Sequence, residues 1–218
     1  LLTASVLSAP AALLVAKLML PERGDAATAG RVELRIERRA GNLIEAAAQG
    51  TTEGLALWLN VIAMLIAFMG LVALVDGCLQ AVSGNSWITV ELSLARIFGW
   101  LFAPLAWLMG VQGWHDCQLF GALLGTKISV NEFVAFSQLH QLQIAAPGAP
   151  RFLDPRSEVL AAYALCGFAN FASIGIQIGG VGALVPARRA ELAALGLRAM
   201  AGGALASWMT AAVAGIFV

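Results

Sequence analysis

Charge-free apolar runs long enough to cross a bilayer alternate with polar connections along this chain. The hydrocarbon core of a membrane is about 30 Å thick, so a helix rising about 1.5 Å per residue needs roughly 20 apolar residues to span it. Residues 54–75, 159–187 and 199–218 carry no Asp, Glu, Lys or Arg, and 1–20 carry only Lys17, close enough to one end to snorkel. These runs predict spans over about 1–20, 54–79, 159–183 and 197–218. Pro10, Gly70, Gly202 and Gly203 lie inside them, which a membrane helix tolerates better than a soluble one. Residues 42–53 predict a short amphipathic lead-in to the second span.

The middle of the chain follows another pattern. Residues 97–115 are uncharged, but Phe98, Trp100, Phe102, Pro104 and Trp107 crowd them, which suits the boundary between headgroups and acyl chains. An interfacial helix over about 91–110 is expected. Residues 117–126 and 133–136 are apolar for too short a length to cross, and a polar tip from Lys127 to Glu132 separates them. Two half-length helices meeting at a polar tip predict a re-entrant hairpin over about 114–142. Lipid permits that only where protein or a water-filled cavity surrounds the exposed backbone, as at a transport site.

Composition narrows the class further. Of 218 residues, 60% are hydrophobic and 12% charged, against about 45–50% and about 25% in a soluble domain. With a mean hydropathy of +0.82, the chain reads as an all-α integral membrane protein of transmembrane helices, a re-entrant hairpin and a broken helix. Thirteen basic residues balance thirteen acidic ones without a run of either sign, which argues against nucleic acid as a partner. Cys78, Cys117 and Cys166 make no close pair, and His115 and His140 lack companions at ligand spacing, so neither a disulfide framework nor a metal site is indicated. Arg23, Arg31, Arg35, Arg38 and Arg39 in the 21–53 connection, with Arg188 and Arg189 before the last span, predict that both connections are cytoplasmic. The expected location is the plasma membrane, the inner membrane if the source is bacterial. No nucleophile elbow, phosphate loop, zinc-helix signature or dinucleotide fingerprint is present, so no enzyme is expected. An intramembrane hydrolase would need a nucleophile with its base, or paired aspartates, at membrane depth; Asp76, at the edge of the second span, reads as a helix end.

Polar groups at membrane depth carry the functional signal. A charge at the bilayer centre costs roughly 2.5–3.5 kcal/mol on insertion scales, so such residues face a bundle interior and mark a function. Glu132 is the first candidate, with Asn131 beside it and Lys127 five residues earlier; in the bland alternative Lys127 and Glu132 only neutralise each other. The third span supplies a second cluster, in which Asn170 and Ser173 are three apart on one helical face and Gln177 continues it. Gly175 and Gly179 make a small-xxx-small pair suited to helix packing, while the glycine density of the segment favours a local break. A carboxylate facing an amide and a hydroxyl fits a polar, uncharged, sugar-like ligand.

The same residues resemble a known family. Asn131-Glu132-Phe133, the stretch Gly167-Phe168-Ala169-Asn170-Phe171-Ala172-Ser173-Ile174-Gly175-Ile176, Phe102-Ala103-Pro104 through Gly110, and the opening Thr3 to Pro10 are similar to the C-terminal part of the concentrative nucleoside transporters. The resemblance implies half of an inverted-repeat transporter, assembled as a homotrimer, that moves a nucleoside together with Na+ or H+ by alternating access. It further implies that Glu132, Asn170 and Ser173 hold the ribose hydroxyls, with Phe168 and Asn131 beside them. No cofactor is expected beyond the coupling ion, whose site should lie mostly in a preceding repeat. The chain opens at Leu1 inside an apolar run, and that repeat, with its Gly-Gln-Thr-Glu hairpin motif, is expected before it. Gly50-Thr51-Thr52-Glu53 looks like that motif but falls in the lead-in helix, and Ala172 stands where many relatives are expected to have serine. The competing readings are a non-transporting scaffold subunit and a transporter of another polar solute.

Overall fold

The computed structural model describes residues 2–22, 24, 41–83, 92–146 and 148–218, and their regular structure is helical. Eight α-helices follow one another among these residues: α1 (Leu2–Met19), α2 (Leu43–Ser83), α3 (Leu94–Leu108), α4 (Trp114–Ser129), α5 (Glu132–Gln143), α6 (Pro155–Leu165), α7 (Phe171–Leu184) and α8 (Arg189–Ala214). A short 3-10 turn, Pro186–Arg188, leads into α8. Three stretches, Leu2–Met19, Leu43–Ser83 and Pro186–Ala214, are long and apolar enough to cross a membrane. Arg23, Arg31, Arg35, Arg38, Arg39 and Glu91, and so most of the basic connection read as cytoplasmic, lie outside the described residues.

Two features differ from the sequence reading. The amphipathic lead-in over 42–53 is not a separate piece, because α2 runs through it without interruption for 41 residues. Asp76 is consequently inside α2 and not at its end, and its carboxylate accepts the backbone N–H of Leu94 at 2.6 Å, meeting one of the orphan donors at the start of α3. The other difference concerns 159–183, which is two helices, α6 and α7, on either side of a non-helical stretch at 166–170. The glycine-rich segment thought to favour the break is regular helix; the interruption comes before it.

Pairs of helices lie along one another: α3 with α4, α2 with α7, and α1 with α8. Small residues permit the first contact. A methyl group added at Gly121 would overlap the Gly99 carbonyl oxygen and stand 2.8 Å from the Ala103 nitrogen, so the two backbones touch directly. Along this seam Phe120, Leu124, Leu160 and Leu165 form a core shared by α4 and α6. An aromatic relay continues it: Phe98 stacks on Phe102 at 5.6 Å between ring centroids, Phe102 meets Trp208 at 5.2 Å, and Phe98 reaches Phe171 at 6.1 Å. Through these rings α3 is packed against α7 and α8, while α4 and α5 of the hairpin lie against α6.

Much of the exterior is apolar, including Leu13, Leu18, Leu59, Ile66, Leu71 and Leu74, as expected where lipid replaces water as the surrounding medium. Gly121→Ala is predicted to lower the melting temperature of the detergent-purified protein, by an overpacking cost of about 1–3 kcal/mol. Gly77→Ala, inside α2 where nothing lies within 4 Å of the new methyl group, should not lower it.

Candidate functional site

The hairpin turns at 130–131, where Asn131 adopts an extended backbone and caps α5 by accepting the Val134 N–H on Oδ1 at 2.9 Å. Glu132 is therefore the first residue of α5, at the positive end of that helix's dipole. Asn170 does the same work for α7. Its Oδ1 accepts the Ser173 N–H at 2.7 Å, and the Ser173 Oγ in return accepts the Asn170 N–H at 3.1 Å and donates to the Asn170 carbonyl at 2.6 Å. This capping box starts the second half of the broken helix and satisfies backbone groups that lipid could not.

The two helix starts meet. Asn170, fully buried, has its Oδ1 committed to the cap, which turns Nδ2 outward; Nδ2 donates to Glu132 Oε2 at 3.0 Å. A donor of fixed orientation thus faces an acceptor, with two helix N-termini converging behind them. Such an arrangement favours negative charge and hydroxyl oxygen, the pattern that broken helices present to polar substrates.

Lys127 is elsewhere than a simple neutralising role requires. It is 0% exposed, and its ammonium donates to the Ala164 carbonyl in the last turn of α6 at 2.7 Å and to Ser207 Oγ of α8 at 2.9 Å. The ion pairs formed among the described residues are Lys17–Glu22 and Arg188–Glu191, so Lys127 and Glu132 are not joined as a pair. The non-helical stretch passes close beside this contact: a methyl group on Gly167 would come within 3.1 Å of Ser207 Cβ and 3.5 Å of Lys127 Nζ. Ser207 had drawn no attention in the sequence, although a hydroxyl in a charge-free run is a recurrent sign of an interhelical hydrogen bond.

Phe168, 53% exposed, borders an open cavity of about 400 Å³ between α7 and α8, together with Ser173, Gln177 and Met200. The volume is in the range of small-molecule sites. Glu132 and Asn170 do not line this cavity; Ser173 belongs to both places, through its hydroxyl to the cap and through its position to the wall. The structure accordingly brings together Glu132, Asn170 and Ser173, sets Asn131 one residue behind Glu132, and leaves Phe168 at the mouth of the neighbouring space. Asp116, adjacent to His115, is buried and accepts the N–H groups of Leu153 at 3.0 Å and Asp154 at 3.1 Å, which anchors the loop entering α6.

Comparison with known proteins gives this arrangement a setting. A family profile described as Na+ dependent nucleoside transporter C-terminus matches residues 1–215. Solute carrier family 28 member 3 of Mus musculus is 41% identical over 225 residues, which cover 99% of this chain and 32% of that protein. The nucleoside permease NupC of Helicobacter pylori is 39% identical, over 100% of this chain and 50% of its own length. This chain therefore spans about half the length, or less, of such relatives. Among solved structures, a variant of CNTnw in an outward-facing state is similar with a TM-score of 0.83 and 37% identity, covering 98% of this chain and 49% of that one. CNTnw in an inward-facing substrate-bound state is similar at a lower TM-score of 0.70, so the helices here are arranged more as in the outward-facing form.

The capping box predicts a local effect that is independent of any ligand. Ser173→Ala should weaken the start of α7 by about 1 kcal/mol, whereas Ser173→Thr should preserve it. Hydrogen exchange would register this as faster amide exchange over 170–174 in the alanine variant alone.

Proposed function

We propose that this chain, which belongs to the concentrative nucleoside transporter family, forms the substrate-holding C-terminal part of a cation-coupled nucleoside symporter of the bacterial inner membrane. The observation that carries the proposal is the 3.0 Å contact between Asn170 Nδ2 and Glu132 Oε2 at the junction of two helix starts. A ribose hydroxyl both donates and accepts, so one hydroxyl can donate to the Glu132 carboxylate while a neighbouring one accepts from the Asn170 amide. Hydrogen bonds to an ionised acceptor are roughly twice as strong as neutral ones, and stronger still away from water. Ser173 acts behind them by fixing the amide, and Asn131 by fixing the backbone from which Glu132 projects. Phe168 offers an exposed aromatic face beside the neighbouring cavity that Ser173 also lines, suited to a planar base.

Transport then requires the hairpin and broken helix to move as a unit against the remaining helices, exposing the site to each side in turn. The coupling ion proposed is Na+ or H+, with Na+ favoured by the family description, and its site is proposed to lie mainly in the half of the transporter outside this chain. A trimer is the assembly proposed.

Uptake of radiolabelled uridine into proteoliposomes containing the complete transporter, with imposed Na+ or H+ gradients, tests this. Na+-driven accumulation is expected, and Glu132→Gln should reduce uridine affinity by about tenfold or more while leaving insertion intact. Accumulation of another solute class with no response to uridine would overturn the substrate assignment. Undiminished affinity in Glu132→Gln would remove that side chain from the site.

A further inference from the structure

A broken helix has two raw ends. In secondary transporters its N-terminal half-ends face anionic or polar substrate groups, and its unwound carbonyls and C-terminal half-ends coordinate the coupling cation. Here the N-terminal end of α7 faces Glu132, as described. The C-terminal end of α6 is also occupied, by a covalently attached cation. The Lys127 ammonium, 0% exposed, takes the Ala164 carbonyl at 2.7 Å and the Ser207 hydroxyl at 2.9 Å. A backbone carbonyl and a hydroxyl are the ligands a hard monovalent cation would choose. The partial negative charge at the end of α6 favours a positive group there on its own account.

We propose that Lys127 is a tethered cation that fills the ion position at the α6–α7 break and thereby positions Asn170 against Glu132. Three elements meet at this one nitrogen: α4 supplies it, α6 and α8 receive it. α4 runs from Lys127 directly into the hairpin tip, and the stretch 166–170 runs from the end of α6 directly into Asn170. Fixing the nitrogen on Ala164 therefore sets the register between the two segments that end at Glu132 and Asn170. Gly167 passes close beside it, where an added Cβ would stand 3.1 Å from Ser207 Cβ and in ordinary contact with the ammonium. A neutral side chain would leave the buried Ala164 carbonyl without its charged partner, while Ser207 Oγ would keep its bond to the Ala204 carbonyl at 2.8 Å. The Ala164 carbonyl and the Ser207 hydroxyl are thus already engaged by the ammonium. Lys127 is a positioning residue and touches no substrate.

The inference rests on the nucleoside reading for its transport readout, and a second readout separates the two. In the complete transporter, Lys127→Ala should raise the uridine KM by about tenfold or more, and ethylammonium at tens of millimolar should restore it by entering the vacated space. Lys127→Met retains bulk without charge, so it should show the same loss and no rescue. Ser207→Ala removes one of the two partners and should raise KM by a smaller factor, with Vmax and expression retained; it also decides the matter should Lys127→Ala fail to fold. In detergent, ethylammonium should raise the melting temperature of Lys127→Ala and of neither the wild type nor Lys127→Met. A wild-type KM in Lys127→Met, or a folded Lys127→Ala indifferent to ethylammonium in both assays, would overturn the tethered-cation role. Absence of uridine uptake by the wild type would overturn the nucleoside reading alone, and the melting shift would still report on the ion position.

Discussion

Interrupting a helix inside lipid strands backbone donors on one side of the gap and acceptors on the other, and no water is at hand to satisfy them. Everything of functional interest in this chain answers that constraint. On the donor side, Asn170 and Ser173 exchange side-chain and main-chain hydrogen bonds that satisfy their own two N–H groups at the start of α7. On the acceptor side, Ala164 is met by the ammonium of Lys127. The site is the residue of this arrangement: once the cap has claimed one face of the Asn170 amide, the other face is available to Glu132.

Packing gives the interrupted helix its surroundings. The close backbone approach at Gly99 and Gly121 lays α3 along α4, and the aromatic relay through Phe98, Phe102 and Trp208 fastens that pair to α7 and α8. Hydrogen bonds between hydroxyls, such as Ser8 to Thr210 at 3.1 Å, tie α1 to α8 where dispersion alone would leave the register loose. Dense packing around an irregular backbone is what allows that backbone to exist at membrane depth at all.

The residues that meet at the two helix starts were legible from sequence because polarity is conspicuous in an apolar run. Glu132, Asn131, Asn170 and Ser173 each stand out against their neighbours, and three-residue spacing put the last two together. The spacing misdescribed the reason, however. Asn170 and Ser173 do not present a shared helical face; one is the cap and the other its partner at the third helical residue, a relation with the same interval but different geometry. Glycine density also pointed to the wrong place, since Gly175 and Gly179 are buried within the regular helix α7 while the break falls at 166–170. Lys127 was visible as a charge but not its destination, because Ala164 and Ser207 are 37 and 80 residues away and nothing local marks them. Long-range pairing of this kind is decided by tertiary packing. The same holds for Asp76, whose partner Leu94 starts the following helix.

The cap on α7 also makes the Asn170–Glu132 contact polar in a single sense. The amide cannot rotate to exchange its oxygen for its nitrogen without abandoning the Ser173 N–H, so one lip of the site always gives a proton and the other always takes one. On the nucleoside reading proposed above, a guest entering between them reads in the opposite order, as a vicinal diol does and as an ether or a bare methylene does not. Asymmetry fixed this way is a form of selectivity that precedes any shape matching, written into the backbone before a ligand arrives.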